Sequence, residues 1–194
     1  MKNSTAIVLI ILALLLFFGG CNSYNSFVDK DQNVQTAWSK VQSAYQRRAD
    51  LIPNLVNTVK GYADFEKSTL TEVVNARAKA TSMNIDASKL TPEAIQQFQS
   101  AQSGLSSALS RLLVTVERYP DLKANKNFLE LQSQLEGTEN RIKVARDKFN
   151  EEVKNYNKSV KKFPGNLFAG IFGFKEKPYF EADKGAEKAP EVKF

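Results

Sequence analysis

Apolar side chains recur at three- and four-residue steps from about Ser26 to Phe163, the period of an amphipathic helix, with no strand-like alternation. Phe27, Val34 and Val41 repeat every seven residues, and Trp38, Tyr45 and Ile52 make a parallel row. This predicts a first helix from about Ser26 to Asp50. Asp50 shortly precedes Pro53, and proline suits a helix's first turn, where its missing N–H has no partner. The pattern therefore predicts a joint, with Asp50 as cap and a second helix running from Pro53 through Leu55, Val59, Tyr62, Leu70 and Val73 to Ala80. Gly61 is a tolerated weak point inside it. Thr91-Pro92-Glu93 reads as a third start, with Thr as cap, Pro in the first turn and an acid at the positive end of the helix dipole. Phe98, Leu105, Leu112 and Tyr119 follow at heptad spacing, with Ile95, Leu109 and Val116 beside them, and Pro120-Asp121 is the stop.

The fourth helix, from about Lys126 to Phe163, carries one unbroken row: Phe128, Leu135, Ile142, Phe149, Tyr156 and Phe163. It should extend about 55 Å. Sustained heptads with short connections predict an all-α fold, a long antiparallel bundle of about four helices with left-handed heptad packing.

Polar residues interrupt these rows at a few places. Arg48 is the next member of the Phe27–Val34–Val41 row, and a charge there invites a partner. On the fourth helix Glu139, Arg146 and Asn157 share a strip beside the apolar row, while Thr138 and Glu152 occupy seam positions. One reading is a wet flank, since charged residues stay solvated as a rule. The other is a polar network in which Arg48 meets Glu139 or Glu152 inside the seam, fixing register more than adding stability.

Met1-Lys-Asn-Ser-Thr5 is followed by an apolar run, Ala6–Phe18, and then Gly19-Gly20-Cys21. A cationic start, a thirteen-residue apolar core and small residues before a cleavage point describe a secretory signal. Cys21 directly after Gly-Gly is similar to a bacterial lipobox, in which the cysteine is lipidated, with Phe18 standing where Leu is usual. The other reading is an uncleaved anchor with Cys21 a passenger. Either one holds the chain at a membrane, and Lys2 favours keeping its own end cytoplasmic, with the domain on the periplasmic or outer side.

The 194 residues suffice for one domain plus appendages: a signal or anchor segment 1–21, a helical domain 22–163 and a Phe-rich tail 164–194. With no histidine and one cysteine, His-based acid–base catalysis, His/Cys metal sites and an internal disulfide have no residues to work with, and no cofactor is indicated. The net charge of +6 is spread among interleaved acids. That gives no nucleic-acid footprint and only a soft attraction to anionic membranes.

Several dispersed motifs, in order, resemble the LemA family. The longest is Arg47-Arg48-Ala-Asp50-Leu-Ile-Pro53-Asn54-Leu-Val-Asn-Thr-Val-Lys-Gly-Tyr62. Others are Tyr24-Asn25, Ala37-Trp38, Ala76-Arg77, Tyr119-Pro-Asp-Leu-Lys-Ala-Asn125, Thr138-Glu139-Asn140-Arg141-Ile142, Ala145-Arg146, Phe149-Asn150, Tyr156-Asn157 and Phe163-Pro164. Tyr is commoner than Phe149 in that pair. The resemblance covers about Tyr24 to Glu181 and implies a membrane-bound, all-helical antiparallel bundle of bacterial envelopes. It implies little about activity, family members being similar to non-enzymatic accessory proteins, and the motif's polar residues are the candidates for the network. It does not extend to Cys21.

The tail carries Phe168, Phe172 and Phe174 in a segment, Asn166–Phe174, whose glycines discourage a regular helix. Tyr179 and Phe180 follow in a mixed-charge stretch expected to be extended. Pro164 and Gly165 let this segment turn back, so the phenylalanines are expected to dock at the end of the fourth helix, near the anchor. Its alternative is an interaction segment. The function that fits is a membrane-anchored, non-enzymatic scaffold or adaptor bound to another membrane or envelope protein. Alternatives are a carrier holding an apolar ligand between the helices, a self-associating coat (a homo-oligomer through exposed heptad faces), and a carboxylate hydrolase using Glu139 or Glu152.

Overall fold

The computed structural model describes residues 2–62 and 66–181, apart from the side chains of residues 2–6, 12, 13, 15 and 16. All regular structure among them is helical: α1 (Lys2–Lys60), α2 (Lys67–Ser82), a single 3-10 turn (Ala87–Lys89), α3 (Pro92–Val116), α4 (Pro120–Lys123), α5 (Lys126–Lys161) and α6 (Gly165–Phe172).

The expected joint at Asp50–Pro53 does not exist. α1 runs 59 residues through it, about 88 Å at 1.5 Å per residue. Pro53 lacks the N–H that would bond the Ala49 carbonyl four residues back, which ordinarily breaks a helix. Here Arg77 of α2 donates its Nε–H to that carbonyl at 2.8 Å, so the orphaned acceptor is satisfied from a neighbouring helix. Asp50 is no cap either; it accepts from Gln46 at 2.6 Å on the exposed side of α1. The break falls after Lys60, at Gly61, so the predicted Pro53–Ala80 helix is divided between the end of α1 and α2.

α3 begins as read, with the Thr91 hydroxyl accepting from the Ala94 amide at 3.1 Å and Pro92 in the first turn. α3 ends at Val116, ahead of the expected stop at Pro120, so Tyr119 lies outside it and Pro120 instead opens the short α4. Asn125 then caps α5, accepting from the Phe128 amide at 3.1 Å.

α1 and α5 pair antiparallel. Phe27 lies beside Gly165, the Trp38 and Phe149 ring centroids are 5.5 Å apart, Arg48 meets Glu139, and Asn125 bonds the Tyr62 hydroxyl. α2 and α3 also run antiparallel, joined by the Glu72–Arg111 and Glu66–Arg118 ion pairs. The core falls into two clusters. One centres on Trp38, Phe98 and Phe149, the other on Ile52, Leu55, Leu105 and Leu112. Phe163 is no core residue: α5 ends at Lys161, and Phe163 is 79% exposed.

After Pro164 the chain turns sharply. A Cβ at Gly165 would collide with the Ser159 carbonyl. The segment expected to resist helix formation forms α6. Ala169 is buried against α1 and α5, and Gly173, at φ 77°, ends the helix while Phe174 donates its amide to the Ala169 carbonyl at 3.0 Å. Tertiary contact here outweighs the cost of glycine at one helical position, about 1 kcal/mol. Residues 175–181 are extended and lie along α5.

Docking of the tail aromatics is unequal. Phe174 packs on Tyr24 and Phe27, with centroids 5.7 and 5.0 Å away. Phe180 is buried among Trp38, Phe98 and Phe149. Phe168 and Phe172 lie near Gly20, whereas Tyr179 and much of Phe172 are exposed. Phe180→Ala is therefore expected to cost about 3–5 kcal/mol in a urea melt, and Tyr179→Ala within about 0.5 kcal/mol.

Candidate functional site

Arg48 stands where a fourth apolar knob belongs, and at 1% exposure it is as buried as Phe27, Val34 and Val41. Its guanidinium reaches two other helices. Nη1 donates to Glu139 of α5 at 2.7 Å and to Ser106 of α3 at 2.8 Å. Nη2 donates to the Gln102 side-chain oxygen at 2.8 Å and to the Gln102 carbonyl at 3.3 Å. The guanidinium carbon also lies 5.1 Å from the centre of the Tyr45 ring. Nε is buried and finds no hydrogen-bond partner among the described residues.

Gln102 extends the network. It is itself buried and donates to the Ala80 carbonyl near the end of α2 at 3.2 Å. One side chain on α1 thus ties α5 and α3 directly, and α2 through Gln102. The pair is lopsided, because Glu139 is 52% exposed. Its carboxylate keeps much of its hydration, so the desolvation cost of the contact falls mainly on the arginine.

Above Arg48 opens a cleft of about 810 Å³ between α3 and α5. Polar side chains, Gln102, Ser103, Ser106, Ser107, Glu139 and Arg146 among them, surround the arginine, although the surface they offer is more apolar than polar. A second cleft, about 600 Å³, lies across α1 and is walled in part by Arg47, Asp50 and Gln102.

Further along α5, Asn150 and Asn157 sit seven residues apart and each holds the tail backbone at two points. Asn157 donates to the Lys177 carbonyl and accepts from its amide, both at 2.8 Å. Asn150 does the same with Phe180, at 3.2 and 2.9 Å. The Tyr156 hydroxyl donates to the Lys175 carbonyl at 2.9 Å. Burial, with Asp31 nearby, pushes that phenol up to about 12. Arg146 and Gln99 each donate to the Glu181 carbonyl at 2.9 Å. Lys177 pairs with Asp31 at 2.6 Å and Lys161 with Glu176 at 2.8 Å. The tail up to Glu181 is a strap held mainly by its backbone.

The motif residues therefore divide. Arg48 and Glu139 meet; Arg146, Asn150 and Asn157 hold the strap. Pro53 acts through the carbonyl it frees. Arg47, Asn54, Asn140 and Arg141 are exposed and stand apart from the Arg48 network. Glu152 pairs with Lys148 at 3.1 Å, so the two carboxylates weighed for hydrolysis are each held by a separate cation. Thr138 is buried and donates to the Leu135 carbonyl at 2.7 Å. Ser106 and Gln102 were not legible as partners from charge. Gln102 had a signal nonetheless, as the polar gap in the row Ile95–Leu109–Val116, a break of the kind that exposed Arg48.

A rod of antiparallel helices, cross-tied by a buried arginine and closed by a C-terminal strap, defines an all-helical bundle protein without a recognisable catalytic constellation among the described residues. The chain belongs to the LemA family, whose model matches residues 37–194. It is 28% identical to the magnetosome protein MamQ 2 of Paramagnetospirillum magneticum over 188 residues, covering 86% of this chain and 67% of that one. The magnetosome protein MamQ of Magnetospirillum gryphiswaldense is 29% identical with the same coverage. Protein LemA of Metamycoplasma hominis is 28% identical over 163 residues, covering 84% of this chain and 68% of its own.

Arg48→Met should cost about 1–3 kcal/mol in a urea melt, because the Gln102 side-chain oxygen is stranded. Glu139→Gln should cost no more than about 1 kcal/mol, given its exposure. Arg77→Met should likewise cost about 1–3 kcal/mol by orphaning the Ala49 carbonyl. In a Pro53→Ala background the restored amide supplies the bond, so a double-mutant cycle should show that cost largely removed. On alkaline titration the raised Tyr156 phenol favours the protonated native state, so its contribution is full below about pH 10 and lost as pH rises through about 12. Tyr156→Phe should flatten that part of the stability–pH curve.

Proposed function

We propose that this protein is a membrane-associated, non-enzymatic scaffold of the bacterial envelope, acting through protein contacts at the cleft above Arg48. The observation that carries the membrane half is the course of α1. It passes without a break from the apolar run through Gly19, Gly20 and Cys21 into the bundle, and the side chains of Ile7 to Ile11, Leu14, Phe17 and Phe18 are exposed. Among the described residues no helix is long and apolar enough to cross a membrane. Residues 6–18 alone would rise about 20 Å against a hydrocarbon core of ~30 Å, and α1 continues on both sides of them. Attachment works through lipidation of the exposed Cys21 or through insertion of the run as an uncleaved anchor, with the domain on the periplasmic or outer side. The relatives named as magnetosome proteins agree with work at a cellular compartment and carry no named reaction.

The protein-contact half rests on the cleft. A trough of mixed surface, rich in hydrogen-bonding side chains and floored by a buried arginine, suits an amphipathic segment of an envelope partner. The seven-residue row of α5 goes with a left-handed supercoil against α1, which would keep that trough rigid. Trp38, Phe98, Phe149 and Phe180 fill the space a carried lipid would need, so the carrier alternative is not adopted.

Two measurements test this. The full chain should sediment with membranes through an alkaline wash and be released by detergent; a chain recovered in the soluble fraction refutes the membrane half. Intact mass should show a lipid-bearing chain starting at Cys21, whereas an unmodified chain starting at Met1 means insertion of the run. A photo-reactive residue at Ser103, exposed on the cleft wall, should give discrete adducts in cells that the same residue at Val114 does not. Equal patterns at both sites would refute the cleft as an interface, and an adduct of twice the chain mass would point to the coat.

A further inference from the structure

We propose that α6 is an interfacial membrane helix, laying Leu167 and Ile171 into the headgroup–acyl boundary at the attached end of the rod. The inference rests on the membrane association proposed above and adds the surface that makes the contact. α6 sides are sharply divided. Ala169 faces the core at 2% exposure, while Leu167 and Ile171, four residues apart, share the opposite face at 56% and 74%. Phe163, in the turn that precedes α6, is also exposed. Exposed apolar side chains gathered at one end of a bundle mark an interaction site.

Its position names the occupant. The Phe168 ring lies 3.3 Å from where a Cβ on Gly20 would stand, and Phe172 packs edge-on against Tyr24 at 5.2 Å. α6 is therefore docked on the turn of α1 between the exposed apolar run and Cys21. Both ways of attaching this chain, an acyl group on Cys21 or the run itself, place the bilayer surface at α6. α6 adds a second apolar contact beside either attachment, and two such contacts combine into a firmer anchor than one. Lys162 and Lys175 flank it and are exposed, a charge suited to anionic headgroups.

The test uses the full chain with Cys21→Ser, which leaves the apolar run in place and frees cysteine chemistry for a label. An environment-sensitive fluorophore is attached through Leu167→Cys, Ile171→Cys or, as a control, the exposed Val114→Cys on α3. The proteins are reconstituted with phosphatidylcholine–phosphatidylglycerol vesicles. The labels at 167 and 171 should show several-fold higher emission, be quenched by nitroxide lipids and be shielded from aqueous iodide, with the reverse at 114. Flotation with vesicles while the labels at 167 and 171 stay open to iodide overturns this inference and leaves membrane association standing. Labels shielded from both quenchers mean that protein covers the face, which also overturns it. Failure to float means that the run and α6 together do not hold this chain at a bilayer, which overturns the inference; membrane association of the Cys21-bearing chain is decided separately by the alkaline wash.

Discussion

The arrangement of the bundle depends on one buried cation. A guanidinium without full hydration needs its donors used, and Arg48 finds acceptors on α3 and α5 at once. Apolar heptads slide past one another at modest cost, because each knob fits any equivalent hole. A charge with directional partners does not. Shifting α1 against α5 by one heptad would set Arg48 opposite Gln132 or Arg146 in place of Glu139, with no counter-charge, so the ion pair sets register where apolar packing alone would be degenerate. The buried Gln102 passes this constraint to the end of α2, and the Pro53–Arg77 contact fixes α2 a second time. In that pair the fault in one helix becomes the binding site for another.

The strap uses a different device. Paired amide bonds from Asn150 and Asn157 satisfy a backbone that has no sheet to join, answering the requirement that buried backbone groups be bonded. Because these contacts read the main chain, side-chain specificity is left to Phe180 and the Lys177–Asp31 pair. The strap closes the aromatic core around Trp38 and brings the chain to the mouth of the Arg48 cleft, where Glu181 forms part of the wall. The polar network and the tail are thus neighbours in one surface, although they are far apart in sequence.

Seen end to end, the rod is asymmetric. The α1–α5 end next to the apolar run carries α6 and the unburied aromatics, and the cleft lies further along. The proposed function would use this arrangement to separate attachment from recognition, with stiff helices between them. Helices held by heptad packing and cross-ties bend little, so the cleft keeps a defined distance from the α6 end.

The sequence pattern by itself determined the all-helical class, the starts of α3 and α5, the antiparallel order and the oddity of Arg48. These follow from a local rule, since a 3.6-residue repeat sorts apolar from polar side chains whatever surrounds them. Tertiary structure alone decided what happens at Pro53, where local chemistry argues for a break and Arg77, 28 residues on, removes the reason for one. It likewise decided that Asn166–Phe174 is helical, that Phe163 leaves the core, and that Gln102 rather than Glu152 completes the arginine's coordination. In each case the deciding partner lies on another element. A pattern along one chain segment records which residues want burial or a partner; only the assembled bundle settles which partner stands within reach.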